Sequence, residues 1–334
     1  MASYTPPEII SLMGVVDTYL RYRNYKNSSN RKYFSFHPSE FGKCLRYQQY
    51  KHYAQLGYIK VKPILLDSQK IRLFDKGHNM HERWAKYYEE IGILRGRWKC
   101  ANKSCLAFDD NGNFIFDKND SLKDIIRSNK SRVYGSEELQ GVFKPLECVC
   151  GCKNFIYLEI PLSSEEMNIK GSADLLLDFT NFHEEKFKEV NLAFNSKFFP
   201  KGVVVADMKT CNEWMFKNKI SKEAHKEYII QIIIYIHLLH CEYGILMYEC
   251  KNNSNMIWYK VERNDEIFET IKWQAKIMLS MAENEKKQLP PPRPESKTCF
   301  ECKSCDFSSI CLKSNIWKDS NLNEKRQKFY RNLL

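Results

Sequence analysis

The chain has 334 residues, 43% of them hydrophobic, and carries 52 Lys+Arg against 41 Asp+Glu for a net charge of +11. That allows one large domain or two moderate ones with a normal core, and the basic excess favours a polyanionic partner through counterion release. No apolar run approaches the roughly 18 residues that span a bilayer, and MASYTPPEIISLMG lacks the basic and apolar regions of a secretory signal, so the expectation is a cytoplasmic protein with no membrane contact.

In chain order, residues 1–60 read as helical with a polar break at Lys26-Asn27-Ser28-Ser29-Asn30. Residues 70–92 carry a helical pattern around His81, Trp84, Tyr87 and Tyr88. Residues 97–153 differ: they hold five cysteines and turn residues such as Asn111-Gly112-Asn113, and read as an inserted small module. Strands are expected at Phe155–Pro161, Ala173–Phe179, Gly202–Met208, Gly244–Glu249 and Met256–Val261. The run EYIIQIIIYIHLLH, Glu227–His240, suits a strand by its isoleucines, but its length and its lack of Gly or Pro favour a buried helix. A helix over Asp265–Lys287 places Ile267, Phe268, Ile271, Ala275, Met278 and Leu279 on one stripe, and Pro290–Pro294 ends it. The expected division is therefore a helical region at 1–96, an insert at 97–153, an α/β core at 154–290 and a cysteine-bearing basic tail at 291–334.

The stretch VVVADMKTCNEW, Val203–Trp214, ends an apolar run in Asp207-Met208-Lys209. Charges two apart on a strand share a face. The bland account is a surface ion pair where the strand meets solvent. The sharp one is a metal-binding carboxylate beside a lysine that contacts a phosphate. In IKGSADLLLDF a second carboxylate, Asp174, enters another apolar run. Two carboxylates on neighbouring strand ends can share Mg²⁺ or Mn²⁺ with phosphate oxygens, since both ions prefer hard oxygen ligands. Gln231 and Tyr235 are one helical turn apart, and His81 closes Gly77-His78-Asn79-Met80-His81.

The 13 cysteines are odd in number and cluster, which in a reducing compartment speaks for metal binding or free thiols rather than disulfides. Cys302-x2-Cys305-x5-Cys311, with Cys44 as a remote fourth, suits Zn²⁺ or an iron–sulfur cluster, and the spacing alone does not separate them. Cys299 adds a competing C-x2-C, so a zinc site of Cys299, Cys302, Cys305 and Cys311 also fits. Cys100, Cys105, Cys148, Cys150 and Cys152 look like two irregular knuckles of a zinc ribbon, five thiols for four places. Cys211, Cys241 and Cys250 stand singly in or beside apolar stretches, as buried structural thiols do.

Taken together, Gly77…His81, Gly171…Asp174, Asp207…Lys209 and Gln231…Tyr235 resemble, in order and interval, the motifs of the RecB-like branch of the PD-(D/E)XK nucleases. The resemblance covers roughly Ser39–Leu312 without the insert. It implies a restriction-endonuclease-like α/β (α+β) core with a mixed central sheet flanked by helices. It implies His81, Asp174, Asp207 and the carbonyl of Met208 as Mg²⁺ or Mn²⁺ ligands. Lys209 would steady the attacking water or the phosphate, Gln231 would position the lysine and the substrate strand, and Tyr235 would support the site or contact DNA. Glu159 is a second-rank candidate.

AddB and the CRISPR-adaptation nucleases of this kind hold a [4Fe–4S] cluster with one cysteine before the core and C-x2-C-x5-C after it. By that resemblance Cys44, Cys302, Cys305 and Cys311 would be the ligands. The implied activity is a metal-dependent DNase, a single-strand-preferring exonuclease of recombination, repair or replication, with a helicase or recombination partner. A structure-specific endonuclease, a spacer-trimming nuclease and a non-catalytic iron–sulfur DNA-binding subunit are the alternatives. The Lys- and Asn-rich composition suits an AT-rich viral or bacterial genome.

Overall fold

The computed structural model describes residues 7–29, 35–59, 66–102, 105, 133–134, 141–148, 150–180, 182, 200–283, 302 and 305–311. They fall into two compact units. The first draws on Met1–Phe36, Cys44–Arg83 and Ala275–Arg331, and the second on His37–Lys43 and Trp84–Gln274.

The first unit is helical. It contains α1 (Pro7–Ser29), α2 (Leu45–Gln55), most of α3 (Ser68–Ile91) and the end of α5 (Asp265–Glu283). The expected break at Lys26 does not interrupt α1, which runs on to Ser29. A lysine in a last turn suits the negative end of the helix dipole. Arg23 grips both oxygens of Asp75, at 2.9 and 2.7 Å, and Arg72 pairs with Asp17. The two contacts tie α1 to α3. On α2, Gln49 Nε2 donates to the carbonyl of Met278 at 3.0 Å, and Tyr53 Oη to that of Met281 at 3.1 Å. These bonds satisfy polar groups that burial would otherwise make costly.

The second unit is built on a mixed sheet in the order β10-β9-β8-β7-β1, with β2, β3 and β4 also paired to β1. The strands are β1 (Leu94–Cys100), β2 (Val133–Tyr134), β3 (Val142–Phe143), β4 (Phe155–Leu158), β7 (Leu175–Asp178), β8 (Val203–Cys211), β9 (Tyr243–Cys250) and β10 (Met256–Glu262). A hairpin of β5 (Ile160–Ser164) and β6 (Ile169–Ala173) stands apart from it. Among the described residues only β8 and β9 run parallel, and α4 (Lys226–Leu238) lies between them in the chain. Parallel neighbours need such a crossover.

The isoleucine-rich run is therefore a helix. Ile230 to His237 are all buried, as in a helix packed on most sides. It lies close on β9: a Cβ on Gly244 would come within 2.4 Å of Ile232 Cγ2, so only glycine permits this approach. The strand β9 is buried along its whole length, as expected for a strand covered on both faces. One sheet face packs Val204, Ala206 and Met208 with Trp98, Tyr88 and Met247. The other packs Val205 with Ile232, Ile236 and Tyr248.

The expected start of the insert, residue 97, falls inside β1. Leu94, Trp98 and Cys100 are buried there, and β1 pairs directly with β7. Asp174 is the residue at which the chain leaves β6, paired to β5, and enters β7, paired to β8. Among the described residues no helix is long and apolar enough to cross a membrane.

Candidate active site

The last β7–β8 pair is Leu175 with Ala206. Beyond it β8 continues through Asp207, Met208 and Lys209 with β9 alone beside it. The side chain of Asp174 takes up the slack: its Oδ2 accepts the Met208 N–H at 3.1 Å. Both carboxylates therefore meet where two strands part.

Asp207 lies on the α4 side of β8 and is 0% exposed. Its Oδ1 accepts a hydrogen bond from Gln231 Nε2 at 3.2 Å, and the same nitrogen reaches Tyr235 Oη at 2.6 Å. Lys209 Nζ is 2.5 Å from Asp207 Oδ2. The ammonium is thus the partner of Oδ2, whereas buried Gln231 Oε1 has no hydrogen-bond partner among the described residues. The Lys209 ammonium also sits 4.7 Å above the Tyr228 ring.

This is not the surface ion pair of the bland account. An exposed pair contributes about 0–1 kcal/mol, whereas a buried one has a desolvation cost of several kcal/mol per ion. Burial is the main cause holding the Asp174 carboxyl well above the usual carboxylate range, and the charge of Asp207 adds to it. Burial alone would lower the Lys209 pKa, but Asp207 and Asp174 together outweigh it and raise it. Burial, then the same two carboxylates, keep the Tyr235 phenol far above its ordinary value. The donor set fits a hard divalent cation: two carboxylates converge beside a buried Gln231 oxygen that has no hydrogen-bond partner among the described residues.

His81 lies half-buried on α3, in the first unit. Glu159 is exposed on the chain between β4 and β5, and accepts a hydrogen bond from Ser172 Oγ. Trp84 was expected only as a helix residue. Its Nε1 donates to Glu249 Oε2 at 2.6 Å, satisfying a glutamate that is 1% exposed on the opposite sheet face.

Cys100, Cys105, Cys148 and Cys150 place their sulfurs within 4.8 Å of one another. The Cys100–Cys150 and Cys105–Cys148 separations are 3.6 and 3.5 Å. A tetrahedral Zn²⁺ with bonds of 2.3 Å spaces its sulfurs about 3.8 Å apart. A four-iron cube would need them wider, because each thiolate must reach a different iron. Cys152 stands outside the group, its Sγ donating to the Asn154 carbonyl at 3.3 Å. Burial pushes the Cys100 thiol up. Burial would also raise Cys150, but the Cys152 N–H and the neighbouring thiols hold it down to about 7.

In the first unit Cys44 is the N-cap of α2. Arg46 Nη1 donates to Cys311 Sγ at 3.9 Å, and the Phe307 N–H to Cys305 Sγ at 3.4 Å. Phe307 stacks on Tyr50 at 5.2 Å, which seats the cysteine segment on α2. Burial raises Cys305, and nearby Cys44 and Cys311 contribute to the same shift. Cys302 is half-buried, with its carbonyl 3.4 Å from the Cys305 N–H. Cys299 lies outside the described residues.

No family model matches the chain, and no curated protein matches it. Among solved structures, an alkaline exonuclease (LHK-Exo) from Laribacter hongkongensis is similar over 38% of this chain and 57% of its own, at 14% identity and a TM-score of 0.28. The same exonuclease in complex with dAMP is similar over 35% and 50%, at 13% identity and a TM-score of 0.26. The protein SSO0001 is similar over 90% and 97%, at 16% identity and a TM-score of 0.40. The chain thus spans little more than half the exonuclease's length. Superpositions this loose carry no argument about chemistry.

Proposed function

We propose that the protein is a metal-dependent deoxyribonuclease of the RecB-like PD-(D/E)XK kind, acting on single-stranded DNA. The supporting observation is the convergence of Asp174, Asp207, Lys209 and Gln231 where β7 and β8 part. Asp174, Asp207 and the Met208 carbonyl would hold Mg²⁺ or Mn²⁺, and the motif resemblance adds His81. A divalent ion there supplies Lewis-acid polarisation of the phosphate and a lowered pKa for bound water.

Lys209, its pKa raised by two carboxylates, stays an ammonium. It would steady the attacking water or act as a positive charge beside the negative charge that develops on the phosphate. Gln231 fixes the Asp207 carboxylate through Oδ1 and leaves Oδ2 turned to Lys209. Tyr235, kept neutral, holds the Gln231 amide in place.

The reading extends to two cysteine sites. Cys44, Cys302, Cys305 and Cys311 would hold a [4Fe–4S] cluster that staples α2 to the C-terminal cysteine segment. Cys100, Cys105, Cys148 and Cys150 would hold structural Zn²⁺, the fit resting on their sulfur spacing. The test of the nuclease reading is degradation of an end-labelled oligothymidylate by purified protein with Mn²⁺. Cleavage that stops with EDTA and with Lys209→Ala supports it, and no cleavage by the wild type overturns it.

A further inference from the structure

Three residues past β8 stands Trp214, with 64% of its surface exposed. A large aromatic so exposed is common at the tip of a loose loop. This one is not on a loose loop. Asn212 caps the turn, its Oδ1 accepting the Met215 N–H at 2.8 Å. The Glu213 N–H is tied to Asn252 Oδ1 at 3.1 Å, and Asn218 Nδ2 donates back to the Trp214 carbonyl at 2.8 Å. Phe216–Ile220 then form a π-helical turn, a rare geometry that is frequent at functional sites. Ile220 is 1% exposed, and its carbonyl accepts from Tyr259 Oη. Both ends of the segment are therefore fastened, and the indole is held outward.

The turn is also basic. Lys217, Lys219 and Lys222 are exposed. Lys217 pairs with Glu213 at 2.5 Å, while the Lys219 ammonium lies 5.9 Å from the Trp214 ring. A rigid aromatic face flanked by lysines is the arrangement that holds an unpaired base: the ring stacks on the base and the ammonium meets the phosphate. Duplex DNA offers no such face, because its bases are stacked on each other. Trp214 lies five positions after Lys209, so their Cα atoms are at most about 18 Å apart. A strand with its phosphate at Lys209 would then have a base over Trp214 a few nucleotides away.

We propose that Trp214 and Lys219 form a stacking platform for an unpaired DNA base, and that it gives the nuclease its single-strand preference. The inference rests on the nuclease reading above but is read by binding alone. The experiment titrates labelled oligothymidylate, and the same oligonucleotide annealed to its complement, into protein held in EDTA. Trp214→Ala should weaken single-strand binding about tenfold and leave duplex binding unchanged. Trp214→Phe should keep most of the affinity, and indole fluorescence should fall on single-strand binding to the wild type but not to Trp214→Ala. Circular dichroism confirms that the variants are folded. Unchanged single-strand affinity in folded Trp214→Ala overturns the platform, as does equal weakening on both DNAs. The two ideas separate: cleavage with Mn²⁺ that is indifferent to Trp214 sinks the platform alone, while Trp214-dependent binding without cleavage sinks the nuclease reading alone.

Discussion

Asp174 Oδ2 accepts the backbone N–H of Met208 at 3.1 Å, so a side chain replaces the strand partner that β8 loses beyond Ala206. The bond aims one carboxylate at the backbone that carries the other. It also explains why this aspartate can sit at a strand junction: its lone pairs satisfy a backbone donor that would otherwise be orphaned.

From that geometry, loss of either charge on β8 should stop chemistry without unfolding the protein. Asp207→Ala and Lys209→Ala are expected to lower single-strand cleavage by about a thousandfold or more. Single-strand affinity should survive Lys209→Ala better than it survives removal of surface lysines. Wild-type cleavage rates in Lys209→Ala would dismiss the assignment.

The second prediction concerns pH. Burial and the neighbouring Asp207 raise the folded-state pKa of Asp174, whereas the unfolded chain titrates near about 3.9. A raised folded value means that stability is complete below the unfolded value and is lost as pH rises through the folded one. Asn keeps the acceptor for Met208 and cannot ionise. In EDTA, Asp174→Asn should therefore melt higher than wild type at neutral pH, and the difference should close as pH falls to about 4. An equal or lower Tm for the variant at neutral pH would contradict a raised Asp174 pKa in the folded protein.

The motif residues were legible because each sits at a strand end or helix face that a period of two or 3.6 already defines. Asp207 and Lys209 share a sheet face, and Gln231 and Tyr235 share a helix face, as the spacing required. The strand β1 was also written in the sequence, with Leu94, Trp98 and Cys100 alternating with Arg95, Arg97 and Lys99. The five cysteines and the turn residues that follow mask it, because they make the segment from residue 97 read as a separate module. The contact of Trp84 with Glu249 had no local signal, since it joins residues 165 apart.

A third prediction concerns the first unit. Cys44 is far along the chain from Cys302, Cys305 and Cys311, so a cluster including it closes a very long loop and removes freedom from the unfolded chain. The protein should be brown, with a broad visible absorption band. Cys44→Ala and Cys311→Ala should each lose iron and melt well below wild type, and Cys299→Ala should do neither. A colourless wild type, or iron retained in Cys44→Ala, would remove that staple.

The fourth prediction separates two cysteines that are neighbours in sequence. Cys150 belongs to the compact group, and Cys152 instead faces the Asn154 carbonyl. Metal analysis should find about one zinc per chain, because four thiolates fill one tetrahedral site. Cys150→Ser should release that zinc and Cys152→Ser should keep it. Zinc loss should also loosen more than the cysteine loop. Cys100 ends β1 and pairs with Phe155 of β4, so the ion would clamp the strand beside β7. Cys150→Ser should therefore lower the Tm and speed amide exchange in β1 and β4, while iron content stays unchanged because the two sites share no ligand. Zinc retained in Cys150→Ser and lost in Cys152→Ser would reverse the assignment. Wild-type protein with iron and no zinc would leave the four converging thiols as a hydrogen-bonded cluster with Cys150 at its exposed edge.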